Sequence, residues 1–328
     1  MRFLLFDLVL LSTVLLSCFS LPAENQQQSV PNELSKEPLN LTATPEIPVD
    51  AAARRSIDEA IKHRDFLSAE NQLVELIEQN SRSPQLLALL GRVFFMDGKY
   101  LNAAVAFEKA EKLTPLKEDD HFTLAMSFVI LKRRDWARPE LEKLAQAYQK
   151  NPRYPYWLAR LDYEDARYAD AINKLNRALQ LNPDFMRAYD NLGLCYEAMG
   201  EFEQAIQSYG KANQLNRQQG SKSAWPPLNF GILLLNRGSL AEAEAVLKEA
   251  VDYDPKLPLA RFQLGILLEK QKKQKDAIQE LNLAASLDPS YPEPHFALAR
   301  IYRTSGDQKA AEVEVRIFQS LKQSTLKP

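Results

Sequence analysis

One small residue recurs at a fixed interval along most of the chain. It stands as Ala69, Ala103, Ala137, Ala171, Ala205, Ala243, Ala277 and Ala311, at steps of 34 residues with a single step of 38. Twelve residues before each sits Ile57, Gly91, Ala125, Ala159, Gly193, Gly231, Gly265 or Ala299, and all but Ile57 are glycine or alanine. Two coupled small positions held in register over eight units mark two surfaces that approach each other closely. Between them the apolar residues follow helical spacing. In the unit at 186–219, Tyr189, Leu192, Gly193 and Tyr196 share one face, Gly200 breaks the pattern, and Phe202, Ala205, Tyr209 and Ala212 share the next. Spacings of three and four describe a helix with one buried stripe. A helix pair of this size cannot bury its stripe alone, so successive pairs must stack.

The Leu-Gly pairs Leu90-Gly91, Leu192-Gly193 and Leu264-Gly265, followed by the central alanines and by the late prolines Pro115, Pro183, Pro255 and Pro289, resemble the tetratricopeptide repeat family. The resemblance implies an all-α fold. It would be an α-solenoid of about eight helix-turn-helix units forming a superhelix, with repeats near 50–83, 84–117, 118–151, 152–185, 186–219, 224–257, 258–291 and 292–325. It specifies architecture far more sharply than function.

Several irregularities carry expectations of their own. Pro139 lies two residues past Ala137. An interior proline removes a hydrogen bond and crowds the preceding turn, so that second helix should start late or bend. Pro155 should shorten the first helix of repeat four by about a turn. Asp162 stands where an aromatic is usual, and Tyr163 is its expected substitute. The 38-residue step enlarges the connection at Arg217–Ala224 ahead of Trp225-Pro226-Pro227. Cys195 falls beside the buried stripe and reads as a core thiol.

Ahead of the array, residues 1–17 hold one arginine and then an apolar run too short for a comfortable membrane span, which fits a secretory signal. The run ends Leu15-Leu16-Ser17-Cys18. That tetrapeptide resembles the bacterial lipoprotein box and implies cleavage before Cys18 with acylation of its thiol. Two alternatives stay open: cleavage near Ser20 or Ala23 with free secretion, or an uncleaved anchor. Residues 18–49 are rich in Gln, Pro and Ser, carry five acids through Asp50 against Lys36, and show no apolar periodicity. They read as a disordered tether.

Composition narrows the function. The net charge is −2, which offers no basic stripe for nucleic acid. The two cysteines imply no disulfide framework. His63, His121 and His295 fall in different repeats without ligand spacing for zinc, and packing is their expected role. Gly91 and Gly98 are separated by six residues where a phosphate loop has four, and the repeat already explains both. No Gly-x-Ser-x-Gly occurs. No catalytic residues, cofactor or metal are therefore expected.

What remains is binding. The resemblance implies that the first helices of the pairs line a groove for an extended or helical peptide. Its groove positions carry over to Arg92 in repeat two, Tyr156, Trp157, Arg160 and Tyr163 in repeat four, Asn191 and Leu194 in repeat five, Trp225 and Asn229 in repeat six, and Arg300 in repeat eight. Aromatics and arginine dominate interface energies, and Asn191 and Asn229 share one repeat position. Some of these residues could instead be inter-repeat packing. The lysine or arginine neighbours of a carboxylate clamp are missing, so binding of a C-terminal tail by that mode is not expected. The reading is a non-enzymatic, exported scaffold of the envelope, lipid-anchored at Cys18, facing periplasm or exterior, with a polypeptide partner. Its alternatives are a pilot lipoprotein for an outer-membrane pore or pilus and, in another class, an enzyme built from convergent carboxylates.

Overall fold

The computed structural model describes residues 47, 49–80 and 82–325. The signal, Cys18 and most of the tether lie outside them. The described residues form sixteen helices and no strand. In chain order these are α1 (Ala51–Lys62), α2 (Phe66–Gln79), α3 (Pro84–Met96), α4 (Tyr100–Glu111), α5 (Glu118–Ile130), α6 (Arg134–Ala147), α7 (Arg153–Glu164), α8 (Tyr168–Leu181), α9 (Met186–Ala198), α10 (Phe202–Gln218), α11 (Trp225–Asn236), α12 (Leu240–Tyr253), α13 (Pro258–Lys270), α14 (Gln274–Leu287), α15 (Glu293–Thr304) and α16 (Gln308–Thr325). They make eight antiparallel pairs, an all-α solenoid. Odd-numbered helices are the first of each pair. The chain divides into two compact units, Met1–Ala137 and Arg138–Pro328.

Within each unit a second helix packs on the first helix of the next pair, and from α7 onward each first helix also touches its successor, as α3 does α5 in the first unit. The paired small positions explain this closeness. All eight alanines are buried. A Cβ on Gly193 would lie 2.4 Å from the Tyr209 ring, and one on Gly231 2.6 Å from Leu247. Glycine is required there because a large side chain of the second helix rests on the first helix's backbone. In the last pair the pattern changes. Two turns beyond the central alanine on the same face, Ala110, Ala178, Ala212, Ala250 and Ala284 are fully buried and the first and third pairs carry Leu76 and Leu144, but the same position of α16 carries Phe318, whose ring meets Phe296 at 5.3 Å.

Every turn inside a pair is built alike. One residue adopts a left-handed backbone: Arg64, Gly98, Lys132, Ala166, Gly200, Gly238, Lys272 and Gly306, in register with the repeat. The following N–H closes back on the carbonyl five residues earlier, as in Lys99 to Phe94 at 2.8 Å and Glu201 to Tyr196 at 2.8 Å. This double-bonded helix end satisfies carbonyls the helix cannot. Four of the eight sites lack glycine and accept the crowding of a Cβ against the carbonyl. Ala166, exposed at φ 56°, makes no use of its side chain. Ala166→Gly is expected to stabilise the second unit by about 1 kcal/mol, read as a higher urea midpoint; an unchanged or lower midpoint would refute the strain.

Several local expectations are corrected. The helix containing Pro139 begins on register at Arg134 and runs through the proline to Ala147. The first helix of repeat four spans 12 residues, against 13 for its neighbour α9, because Pro155 occupies the first turn, where its missing N–H has no intrahelical partner to lose. Asp162 keeps the aromatic's buried position and Tyr163 stays half-buried beside it. Ile47 is buried against the first pair and Val49 packs beside it, so these last residues of the expected tether belong to the array. The inserted connection is pinned: Asn216 donates to the Ser223 carbonyl at 2.7 Å and accepts from its N–H at 2.9 Å. Arg217, next in the chain, forks onto Glu249 of α12 at 2.8 and 2.7 Å.

Candidate functional site

The face built by consecutive first helices carries the sequence-selected residues. In the first unit, Arg92 of α3 is buried and its Nε donates to Asp120 of α5. In the second unit the same helix-to-helix spacing is bridged three more times. Asn191 of α9 donates to Tyr156 of α7 at 3.5 Å and to its own helix at Arg187 O at 2.9 Å. Asn229 of α11 donates to both oxygens of Asp190 at 3.2 and 3.1 Å. Arg300 of α15 forks onto Glu269 of α13 at 2.7 and 2.5 Å.

Burial sorts the ten candidates. Arg92, Tyr156, Trp157, Arg160 and Asn191 are buried, with Tyr156 and Trp157 at 0% and 1% exposure. Tyr156 packs on Phe185 with centroids 4.9 Å apart, and Arg187 lies over its ring at 5.3 Å. Trp157 meets Tyr156 edge-on at 5.6 Å, with the Arg160 guanidinium 5.5 Å from its centroid. These side chains hold the array together, and a partner cannot reach the two rings without displacing their neighbours. Tyr163, Leu194, Trp225 and Asn229 are half-buried, and Arg300 is exposed. The half-buried residues extend into repeat seven, where Leu259 and Ile266 follow Trp225 and Ile232 at 34 residues, and the buried Gln263 follows Asn229. None of the three was selected from the sequence, although the 34-residue count points to each.

Two buried carboxylates stand out electrostatically. Burial pushes the Asp190 carboxyl up to about 7, against the pull of Asn229 and Arg160. Asp162, 1% exposed, behaves oppositely: burial alone would raise it, but Lys174 of α8 and Arg138 of α6 more than offset this and hold it below the usual range. Arg138 reaches it at 2.8 Å, Arg167 at 2.6 Å, and Lys174 closes the set. Three cations around one carboxylate explain why an acid stands in an aromatic's place. Cys195 is buried, and the loss of solvation pushes its thiol up to about 12, the behaviour of a packing residue rather than a nucleophile. His295 pairs with Glu314 at 2.7 Å, and His63 bonds the Glu59 carbonyl at 2.9 Å. His295 is half-buried and His63 exposed, so the packing expected of His63 is not seen.

Sequence models of the family described as tetratricopeptide repeat match residues 54–118, 228–292 and 187–219. A related model, TPR repeat, matches 159–200. Together they cover more than half of the chain. The helix pairs are tetratricopeptide repeats. Among curated relatives, the chain is similar to a type IV pilus assembly protein, PilF, of Pseudomonas aeruginosa. Identity is 31% over 134 residues, covering 40% of this chain and 53% of that protein. It is also similar to anaphase-promoting complex subunit 3 of Schizosaccharomyces pombe, 28% identical over 183 residues, 55% of this chain and 26% of that one. The chain thus spans about half or less of the length of these two relatives. The crystal structure of PilW, a type IV pilus biogenesis factor, superposes with TM-score 0.56 at 19% identity, over 64% of this chain and 98% of that chain. That likeness concerns the tetratricopeptide-repeat fold alone.

Proposed function

We propose that this protein is a non-enzymatic scaffold of the cell envelope that holds a partner polypeptide on the face of its first helices. The observation that carries the reading is the row Leu194, Ile232 and Ile266, half-buried at one position of three successive repeats, beside the amides of Asn229 and Gln263. An apolar row flanked by amides suits a peptide that offers side chains to one and backbone groups to the other. Export and acylation at Cys18 rest on the N-terminal sequence, and mass spectrometry of the mature N-terminus tests them directly. A second reading makes the protein an assembly factor for a pilus or outer-membrane pore. It is supported by the similarity to a type IV pilus assembly protein.

A photo-crosslinking residue at Ile232 or Ile266 is expected to yield a discrete protein adduct in cells, and one at the exposed Glu242 of α12 to yield none. Ile232→Arg combined with Ile266→Arg should weaken capture of that adduct's protein by about tenfold, the loss expected when a core contact of an interface becomes a buried charge. Equal adducts from all three sites would remove the face as the binding site. A pilus or pore subunit in the adduct, with loss of its multimers on deletion, would select the second reading.

A further inference from the structure

The turns of the first unit differ from all later ones in what they present to solvent. The second helix of each pair begins just after its turn. In the first two pairs its second residue is Leu67 or Leu101, 64% and 56% exposed. In the third pair Trp136, one residue further along, is 45% exposed, and Val105 extends the row one turn beyond Leu101 at 42%. At the Leu67 position the five later pairs carry Ala169, Glu203, Ala241, Lys275 and Lys309. Large apolar side chains at these helix starts are therefore confined to one unit; Trp136 meets Phe128 of α5 edge-on at 5.5 Å and still keeps nearly half of its surface in solvent.

The same three turns are basic. Lys62, Arg64, Lys99, Lys132, Arg133 and Arg134 are all exposed, against Asp65, Asp97, Asp135 and Glu59, which pairs with Lys62 at 3.7 Å. The three turns are neighbours: α3 packs on α5, which brings the second and third together, and Lys99 crosses from the second turn to Glu70 near the start of α2 at 2.8 Å. The Arg133 guanidinium lies 4.9 Å from the Trp136 centroid. Aliphatic tips and an indole interleaved with lysine and arginine match the boundary between lipid headgroups and acyl chains, where bases meet phosphate and indole rings settle at the interface. No described helix is long and apolar enough to cross a membrane, so contact through this edge would be peripheral.

We propose that the turn edge of the first unit, led by Leu67, Leu101 and Trp136, docks on an anionic phospholipid surface. The proposal does not rest on acylation of Cys18 or on the partner face. It fixes which edge of the first unit faces the bilayer.

The test uses the full chain and vesicles of brominated phosphatidylglycerol or brominated phosphatidylcholine, which quench tryptophans that enter the interface. The Trp136 signal is the difference between the wild type and Trp136→Phe. Phosphatidylglycerol vesicles are expected to quench it, with recovery at about 0.5 M salt because exposed charges are then screened. Phosphatidylcholine vesicles are expected to leave it unchanged. Leu67→Ser with Leu101→Ser, and separately Lys62→Gln with Lys132→Gln and Arg134→Gln, should each lower the apparent partitioning by about tenfold. All five substitutions are at exposed positions, and unchanged thermal melts check that the variants fold. Absence of Trp136 quenching, equal quenching by both lipids, or full retention in either variant would overturn the proposal. The first of these results would leave an acidic protein as the edge's partner.

Discussion

Gly193→Ala is expected to cost the second unit about 2 kcal/mol. The new Cβ would sit 2.4 Å from the Tyr209 ring, and overpacking of a close-packed core costs on the order of 1–3 kcal/mol. Glycine is about 1 kcal/mol poorer than alanine in a helix interior, so the net sign itself discriminates. If the glycine served only as a helix residue, alanine would stabilise. Repeat four carries the alternative combination at the matching positions, Ala159 with Leu175, both buried. Gly193→Ala with Tyr209→Leu should therefore cost less than the sum of the two single changes. Additive urea midpoints across that cycle would sink the close-contact account.

The second large effect is a pH dependence centred on Asp190. An unfolded aspartate titrates near 4, whereas the folded one sits at about 7, raised chiefly by burial. Between those values the native chain holds a proton that the unfolded chain has released. The stabilisation from this group is complete below pH about 4 and is lost as pH rises through about 7. Relative to a neutral side chain, the ionised carboxylate then costs up to roughly 4 kcal/mol. Asp190→Asn removes the charge. It should leave stability near pH 4 unchanged, raise it at pH 8, and flatten the slope between. The groups facing Asp190 are Asn229 from α11, Arg160 from α7 and the Tyr209 phenol from α10. Arg160 loses an attractive partner, which trims the gain. Parallel pH slopes for the two proteins in urea melts would remove Asp190 from the account.

The architecture was legible because its cause is periodic. A buried alanine marks every pair, a small residue twelve positions before it marks all but the first, and the left-handed turn residue falls in the same register whether or not it is glycine. The irregularities were harder. Pro139 suggests a late start or a bend and Pro155 a helix about a turn short, yet the first lies inside a helix that begins on register at Arg134 and the second, in a first turn, leaves a helix only one residue shorter than its neighbour. Asp162 could not be understood from its own helix, since two of its three cations come from α6 and α8. The candidate face was legible by position but not by exposure. Tyr156 and Trp157 sit at groove positions of the repeat and are enclosed by Phe185, Arg187 and Arg160, contacts that depend on how neighbouring pairs pack. The polar bridges between first helices have the same origin: Asp190 and Asn229 are 39 residues apart, and neither reveals the other in sequence.

Phe318 changes what the last described pair presents. Five pairs carry alanine at its position and two carry leucine, Leu76 and Leu144, whereas here a ring rests on Phe296 of the same pair. Whatever abuts this helix meets an aromatic surface, so its fit there depends on ring geometry rather than on the close approach of two backbones.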